Sequence, residues 1–547
     1  MKRILVIGGY GGFGARLARR LSDAGHHVLV AGRTIEKARA FSATLVNAEP
    51  VVADRRGDLD AVFRDCRPDL VIDAAGPFQP DLGSEAEYHV PLACIRAAIP
   101  YLDLADSRAF VTGIVSLDAQ AIEAGIAILS GASSVPALSG AVVRHLSGTM
   151  DRVTSVDIAI SASSRATAGQ SVATAILSYA GKPVRLWRGG RWTQNWGWQQ
   201  LRWIDLPVGA GGELHRRLVA LADVPDHDIL PAMFPGRPAT TFRAGPEFAH
   251  QTLVLWALSW LVRWRWLKSL AGLSRWLRMA QSLTVRSGSD CSGMIVAAKG
   301  FEGGQAIEGH WTLIARDGDG PEIPTMAAAI LAEIILSGDV RPGARHAGGL
   351  LSLHQFDALF SRLAIRHETV SRKITPLYAR IMGDRFSALP PSVRAIHNVC
   401  GDGHATGQAT VVRGRNIVAR GIAFFMRFPP QGDFPVHVAF SERNGVERWT
   451  RDFGGHRFHS VLSKGSRGLT ERFGPLRFHF DLPSHGNGLE MRMTGWSLLG
   501  IPLPLMLAPQ SRAREWDEEG MFHFDVPISF PVIGMIVHYR GWLKAQE

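Results

Sequence analysis

The sequence predicts an α/β chain in three parts: a doubly wound parallel sheet, an α+β unit, and a mostly antiparallel β unit. Three observations carry this reading. Over residues 1–146, short apolar runs that suit buried strands alternate with amphipathic helical stretches. From about residue 150, apolar and polar residues alternate as in strands with one buried face. Beyond residue 373, short strands separated by Gly, Pro and Asn turns continue to the C-terminus. A chain of 547 residues is too long for one core. The textures place its boundaries at 1–146, 147–373 and 374–547.

In the first unit, "RILVIGG" reads as a buried strand and "GARLARRLSDAG" as a helix with Gly25 near its end. "HHVLVAGR" is a second strand, and a helix starts at Thr34. "PVVAD", "DLVIDAAGP" and "GIAILSGA" supply further strands, so the βαβ alternation predicts a parallel sheet with helices on both faces. In the second unit "SVDIAISAS", "GMIVAAKGF" and "EGHWTLIARDG" predict antiparallel strands, and "PTMAAAILAEIILSGD" a helix ending at Gly338. The third runs through "GHATGQATVVRG", "FPVHVAF", "LRFHFDLP" and "LEMRMTGW" to "MIVHYRGW".

Composition excludes several classes. With 46% hydrophobic and 20% charged residues the chain is a folded protein. Cys66, Cys94, Cys291 and Cys400 are far apart and form no CxxC pair, which argues against a disulfide framework or a zinc site and for a reducing compartment. No signal-peptide pattern precedes the first strand, so the expected location is the cytoplasm. The net charge of +11 lies outside the first unit, where 15 basic residues meet 16 acidic ones. There is no basic tail, zinc-finger spacing or aromatic RNA-binding motif, so nucleic acid is not an expected partner. His456 and His459 are three apart on a predicted strand, hence on opposite faces, and no metal site is expected.

The chemistry begins with "IGGYGGFG". Gly9, Gly11 and Gly14 fit GxGxxG between a strand and a helix: one glycine for the tight turn, one for backbone approach to a pyrophosphate, one for helix–strand packing. Gly12 and Phe13 lie within the same turn, and the helix that follows offers free N–H groups to phosphates. This is a Rossmann fingerprint. At the end of the second strand, "VAGRT" puts Arg33 where NAD-binding domains place an acid for the ribose 2′-OH. A guanidinium suits a 2′-phosphate, so NADP is the expected cofactor, with a hydroxyl contact from Thr34 and charge from Lys37. The plainer alternative is a surface arginine ending a strand.

These residues carry a resemblance. "GGYGGFGARLARRL", "VAGRTIEKA", "VIDAAGPF", "YLDLAD" and "GASSVPALSG" resemble, in order and spacing, the NADP-binding domain of the saccharopine dehydrogenase-like family. "ATAGQSVATAI" and "GPEIPTMAAAILAEIILSGDVRPGA" resemble that family's second domain, a substrate and dimerisation unit inserted before the chain returns to the sheet region. Residues from about 376 to 545 resemble a domain of unknown function, number 4166, through "LYARIMGDRFSALPPSVRAIH", "GIPLPLMLAP" and "VHYRGWL". The resemblance implies hydride transfer with a nicotinamide cofactor. It also implies that Ala75, Gly76 and Pro77 of "DAAGPF" lie beside the cofactor, with "DLAD" (103–106) close by. A reductase also needs a proton donor, for which Asp106, Tyr88, His89 and His310 are candidates. Asp106 and His310 are carried forward as catalytic. No arginine clamp for an amino-acid carboxylate stands out, so the substrate is not expected to be saccharopine.

A second kind of partner is suggested by "TLVLWALSWLVRWRWLKSLAGLSRWLRMAQ" (252–281), with five Trp, five basic residues and no acid. Trp266, Leu270, Leu273 and Leu277 share a predicted helical face opposite Arg263, Lys268, Arg275 and Arg278. That pattern predicts either a helix in a membrane interface or a packing or homodimer contact. The expected function is NADP(H)-dependent oxidation or reduction of a small, hydrophobic molecule. Its alternative is a non-enzymatic NADP(H)-binding, redox-sensing or membrane-docking protein with a lipid-binding C-terminal domain.

Overall fold

The computed structural model describes residues 1–79, 87–165, 170–209, 213–273, 279, 285–466 and 468–546. Strands β1 (Arg3–Ile7), β2 (His27–Gly32), β3 (Ala48–Val52), β4 (Leu70–Asp73), β5 (Tyr101–Asp103) and β6 (Ala127–Ser130) lie parallel in the order β3-β2-β1-β4-β5-β6. Apart from the edge strand β3, their continuous apolar runs follow from burial on both faces. Ile4, Val6, Val28, Val30 and Ile72 enter one core, while Leu5, Ile7, Leu29, Ala31 and Val71 enter another on the opposite face. The winding reverses between β1 and β4, which opens a crevice at the carboxyl ends of those strands.

The second unit contributes β7 (Arg152–Ser161), β8 (Pro183–Arg188), β9 (Arg191–Trp196), β10 (Arg202–Pro207), β11 (Glu213–Leu221), β12 (Ala239–Gly245), β13 (Ser292–Glu302) and β14 (Gln305–Ala315). The chain then returns to the first sheet, where β15 (Gly343–His346) adds a parallel strand beside β6. β16 (Ile365–Lys373) closes the second sheet in the order β10-β11-β12-β7-β13-β14-β16, while β8 and β9 form a separate hairpin. That sheet is antiparallel except for β12 beside β7. The first unit is therefore not confined to residues 1–146. It recruits β15, and the helix Ile323–Leu336 packs on the helix Gly12–Asp23, where Glu322 meets Arg16 at 3.1 Å and Arg20 at 2.9 Å.

The third unit is a closed barrel. β17 (Asp402–Arg413), β18 (Gly432–Arg443), β19 (Val446–Phe453), β20 (His456–Gly465), β21 (Gly468–Phe473) and β22 (Leu476–Asp481) form a meander. The short β23 (Ser484–His485) and β25 (Ile501–Leu503) flank β24 (Gly488–Leu498). β26 (Arg512–Glu518), β27 (Met521–Phe530) and β28 (Gly534–Gln546) complete the series. β22 pairs with β24 and β28 with β17, so ten antiparallel strands close a ring in sequence order with no free edge. Helices between Leu377 and His397 plug one end, burying Leu377, Tyr378, Val393 and His397. The helix Ile417–Phe425 crosses the other end, between β17 and β18.

The Trp-rich segment departs from its expected shape. A helix runs from Ala249 to Arg263 and stops at Trp264, because Arg265 adopts a left-handed φ of 64°. Leu270 is fully buried while Trp266 is 74% exposed, so the two do not share a helical face. One side of the helix packs on the second unit through Leu255, Leu258 and Val262. Arg275, Leu277 and Arg278 lie outside the described residues. Among the described residues no helix is long and apolar enough to cross a membrane.

Candidate functional site: the glycine cradle and the strand-end crevice

The crevice is built on backbone that side chains would block. Gly8 turns at a φ of +77°, and a Cβ there would lie 3.0 Å from the Cα of Ala75. A Cβ on Gly14 would sit 2.1 Å from the carbonyl oxygen of Gly8. β1 and β4 end in register, Ile7 beside Asp73, so the glycine turn and the 73–78 segment form two walls of one crevice. Gly11 caps the helix Gly12–Asp23 with no side chain over the first-turn N–H groups, and no acid lies in that turn. Space is open around the Cα of Gly12. The cradle fits a pyrophosphate.

At the end of β2, Tyr10 reaches back over Gly32, where a Cβ would be 2.3 Å from the ring, and its hydroxyl accepts a hydrogen bond from the Thr34 N–H at 3.1 Å. Arg33 and Lys37 are exposed beside it. Thr34 caps the helix Ile35–Ser42 without using its hydroxyl for the cap. No acid occupies this strand end.

Arg55, just past β3, organises the other wall. It donates to the carbonyl oxygens of Ala75 at 3.0 Å and Pro77 at 3.2 Å, approaches Asp73 at 3.1 Å, and lies over the Phe78 ring at 4.7 Å. Asp73 is fully buried and accepts from the Ala75 N–H at 2.9 Å; burial raises its pKa while Arg55 pulls it back. Asp103, at the end of β5, accepts from Ser130, Gly131 and Ala105 at 3.1, 2.8 and 2.9 Å. Burial still pushes it up to about 6. Both carboxylates tie strand ends together.

Asp106 lies three residues further on, half-buried, accepting from Gln79 Nε2 at 3.0 Å. Burial raises its pKa, and its charge in turn helps raise that of Tyr179, so the two groups are neighbours. Arg108 then joins the units: it donates twice to Asp228 at 2.6 Å and once to Asp223 at 3.1 Å, both in or beside the helix Asp226–Met233. In the same seam Ser139 donates to the buried Asp226, which burial pushes up to about 7.

The structure thus brings Gly9, Gly11, Gly12, Phe13 and Gly14 together with Ala75, Gly76 and Pro77, with Arg33 and Thr34 at the neighbouring strand end. It does not bring His310 to Asp106. His310 sits 3.2 Å from Glu308 and lines a cavity of about 540 Å³ against the barrel, while its neighbour Trp311 faces the opposite way, into the core shared with the first unit. Alternation along β14 forces that separation. The Tyr88 hydroxyl donates to the Phe110 carbonyl at 3.0 Å and is pushed up to about 12 by burial, and His89 is exposed. Sequence reasoning missed Tyr10, Arg55 and Arg108. Tyr10 was visible within the glycine string, whereas the partners of Arg55 and Arg108 lie 18 to 120 residues away.

This geometry defines a Rossmann-type sheet with a glycine cradle at its strand ends. Residues 4–99 match the NAD dependent epimerase/dehydratase family, and residues 389–543 match the domain of unknown function DUF4166. The chain thus joins a Rossmann-type sheet to a barrel within the region that matches DUF4166. Among solved structures, it is similar to saccharopine dehydrogenase (L-Glu forming) from Saccharomyces cerevisiae at 14% identity and a TM-score of 0.44, over 68% of this chain and 100% of that one. Sorbitol-6-phosphate 2-dehydrogenase from Erwinia amylovora aligns at 20% identity and a TM-score of 0.19, over 23% of this chain and 69% of that one. Salutaridine reductase from Papaver somniferum aligns at 20% identity and a TM-score of 0.13, over 14% of this chain and 31% of that one. No curated protein matches the sequence.

Proposed function

We propose that this protein is an NADP(H)-dependent oxidoreductase acting on a small, hydrophobic molecule at the seam between its first two units. The observation that carries the reading is the end of β2, where Arg33 stands exposed and Thr34 keeps its hydroxyl free of the helix cap. Those two residues would hold a ribose 2′-phosphate. The first-turn N–H groups from Gly12 onward would hold the pyrophosphate, and Arg55 would keep the 75–78 wall in place. The bound nicotinamide would supply or accept the hydride. Asp106 would hold the matching proton: its raised pKa keeps the carboxyl protonated to higher pH, and Gln79 fixes the orientation of its other oxygen. His310 has no part in this reading.

The test is a titration of the purified protein with NADPH and with NADH, read by tryptophan fluorescence, alongside Arg33→Asp. Tight NADPH binding, weak NADH binding and loss of the preference in Arg33→Asp are expected. Binding of neither nucleotide would overturn the proposal. NADPH binding without turnover across a panel of aldehydes, ketones and imines would favour a non-catalytic NADP(H) sensor.

A further inference from the structure

The barrel has a role that the dinucleotide site does not explain. Its interior holds a cavity of about 160 Å³, walled mainly by apolar side chains such as Phe453, Phe458, Met491 and Phe524, with Arg451, Glu471 and Glu515 also in the lining. A void of about 150 Å³ with apolar walls stays dry and takes up benzene, so this one accepts a slim apolar group without rearrangement. The plugged end of the barrel is closed by the buried pair His397–Glu515, 2.7 Å apart. At the other end, Ile422 and Met426 of the crossing helix and its exit form part of the cavity wall.

That other end is greasy. Register along the ring places the connections 414–431, 454–455, 474–475, 499–511 and 531–533 all at this end. Among the described residues beyond 374, thirteen of the fifteen exposed large hydrophobic ones lie in these connections or at the strand ends that meet them. Phe424 is 84% exposed, Phe425 75%, Ile417 83% and Met506 79%, gathered at one end instead of scattered singly. The same five connections contain no acidic residue, and their charges are Arg415, Arg420 and Arg427, all exposed. A rim of exposed aromatic and aliphatic side chains, spaced by arginines and continuous with an apolar cavity, is complementary to an anionic lipid surface. A protein partner would not require the interior to be apolar as well.

We propose that this end of the barrel docks on anionic membrane lipid and that the cavity receives an acyl chain from it, with the 417–425 helix at the entrance. The proposal is independent of the nucleotide reading. It is tested on the full chain by flotation with vesicles of phosphatidylcholine and phosphatidylserine in roughly a 3:1 ratio, and with phosphatidylcholine alone. Native mass spectrometry of the protein recovered afterwards then reads what it carries. The intact protein is expected to float with the mixed vesicles at least tenfold more than with phosphatidylcholine alone, and to emerge with bound acyl lipid. Phe424→Asp with Phe425→Asp, both surface changes, should abolish flotation while leaving the far-ultraviolet spectrum unchanged. Ala513→Phe, which fills the cavity from its wall, should float and emerge empty. Failure of the intact protein to float would overturn the proposal. So would flotation that survives the Phe424/Phe425 pair but is lost in Trp264→Asp with Trp266→Asp, or a dimer that dissociates when Phe424 and Phe425 are changed.

Discussion

At the scale of single residues, the candidate site divides into positions fixed by sterics and positions chosen by charge. Gly14 belongs to the first group: Gly14→Ala drives a methyl onto the Gly8 carbonyl at 2.1 Å, and neither atom is the flexible end of a side chain. We expect a loss of about 1–3 kcal/mol of stability in a denaturant titration and no detectable nucleotide binding. Arg33 belongs to the second. Removing one charge-assisted contact costs about 1.5–3 kcal/mol, so Arg33→Asp should raise the NADPH dissociation constant at least tenfold and leave the melting temperature unchanged. Both positions were legible in the sequence, because the glycine spacing and the strand-end arginine are local patterns. Arg55 was not, since its role exists only once β3 lies within reach of the 75–78 wall. Asp106 was legible as a strand-end carboxylate and His310 as a histidine on an alternating strand, but nothing local told which face of which sheet each would occupy.

At the scale of elements, two features invite measurement. The Arg108 clamp joins the segment after β5 to the helix Asp226–Met233, and its guanidinium is largely buried. Arg108→Ala would take the guanidinium from Asp223 and leave Asp228 only the longer contact to Arg185 at 3.5 Å, at a cost of about 3 kcal/mol. Hydrogen exchange should then accelerate in both the 108–113 and 226–233 helices, and not in the barrel. The end of the 249–263 helix is set by the left-handed Arg265. Arg265→Gly relieves a backbone cost of about 1 kcal/mol and should raise the unfolding midpoint. This residue also explains why the helix does not continue through 266–273, as the sequence pattern expected. Trp, Leu and Arg at helical spacing persist past 265, and periodicity carries no sign of a residue that will turn left-handed.

At the scale of the whole molecule, buried carboxyls set the response to pH. Burial pushes Asp226 and Asp402 up to about 7 and Glu447 up to about 8. These groups stay protonated in the folded state at a pH where the unfolded chain has already released the proton. Their contribution is complete below the unfolded carboxyl range and is lost as pH rises through the folded values. Glu308 runs the other way: His310, Lys299 and Arg372 hold it down to about 2, and its contribution fades only in acid. The melting temperature should therefore fall from about pH 4 to about pH 8, and Glu447→Gln, which keeps an acceptor for the Trp449 indole, should flatten that fall. The three-part architecture was largely readable from texture, since β-strands buried on both faces, on one face or in a meander leave different alternations. Closure of the third unit was not, because pairing of the first and last strands of a ring is set by strand count and twist, which no local window contains. The return of the chain to the first sheet, as β15, was implied by the family resemblance and not by any local pattern.

That return has a temporal consequence. The chain is delivered from its N-terminus, and 212 residues separate the end of β6 from the start of β15. At about 5–20 residues per second, the nucleotide-binding sheet waits roughly 10–40 s with β6 as an open edge. During that interval, nascent chains on one messenger each present an unpaired parallel strand to their neighbours. A ribosome stalled short of residue 343 would leave that edge exposed indefinitely.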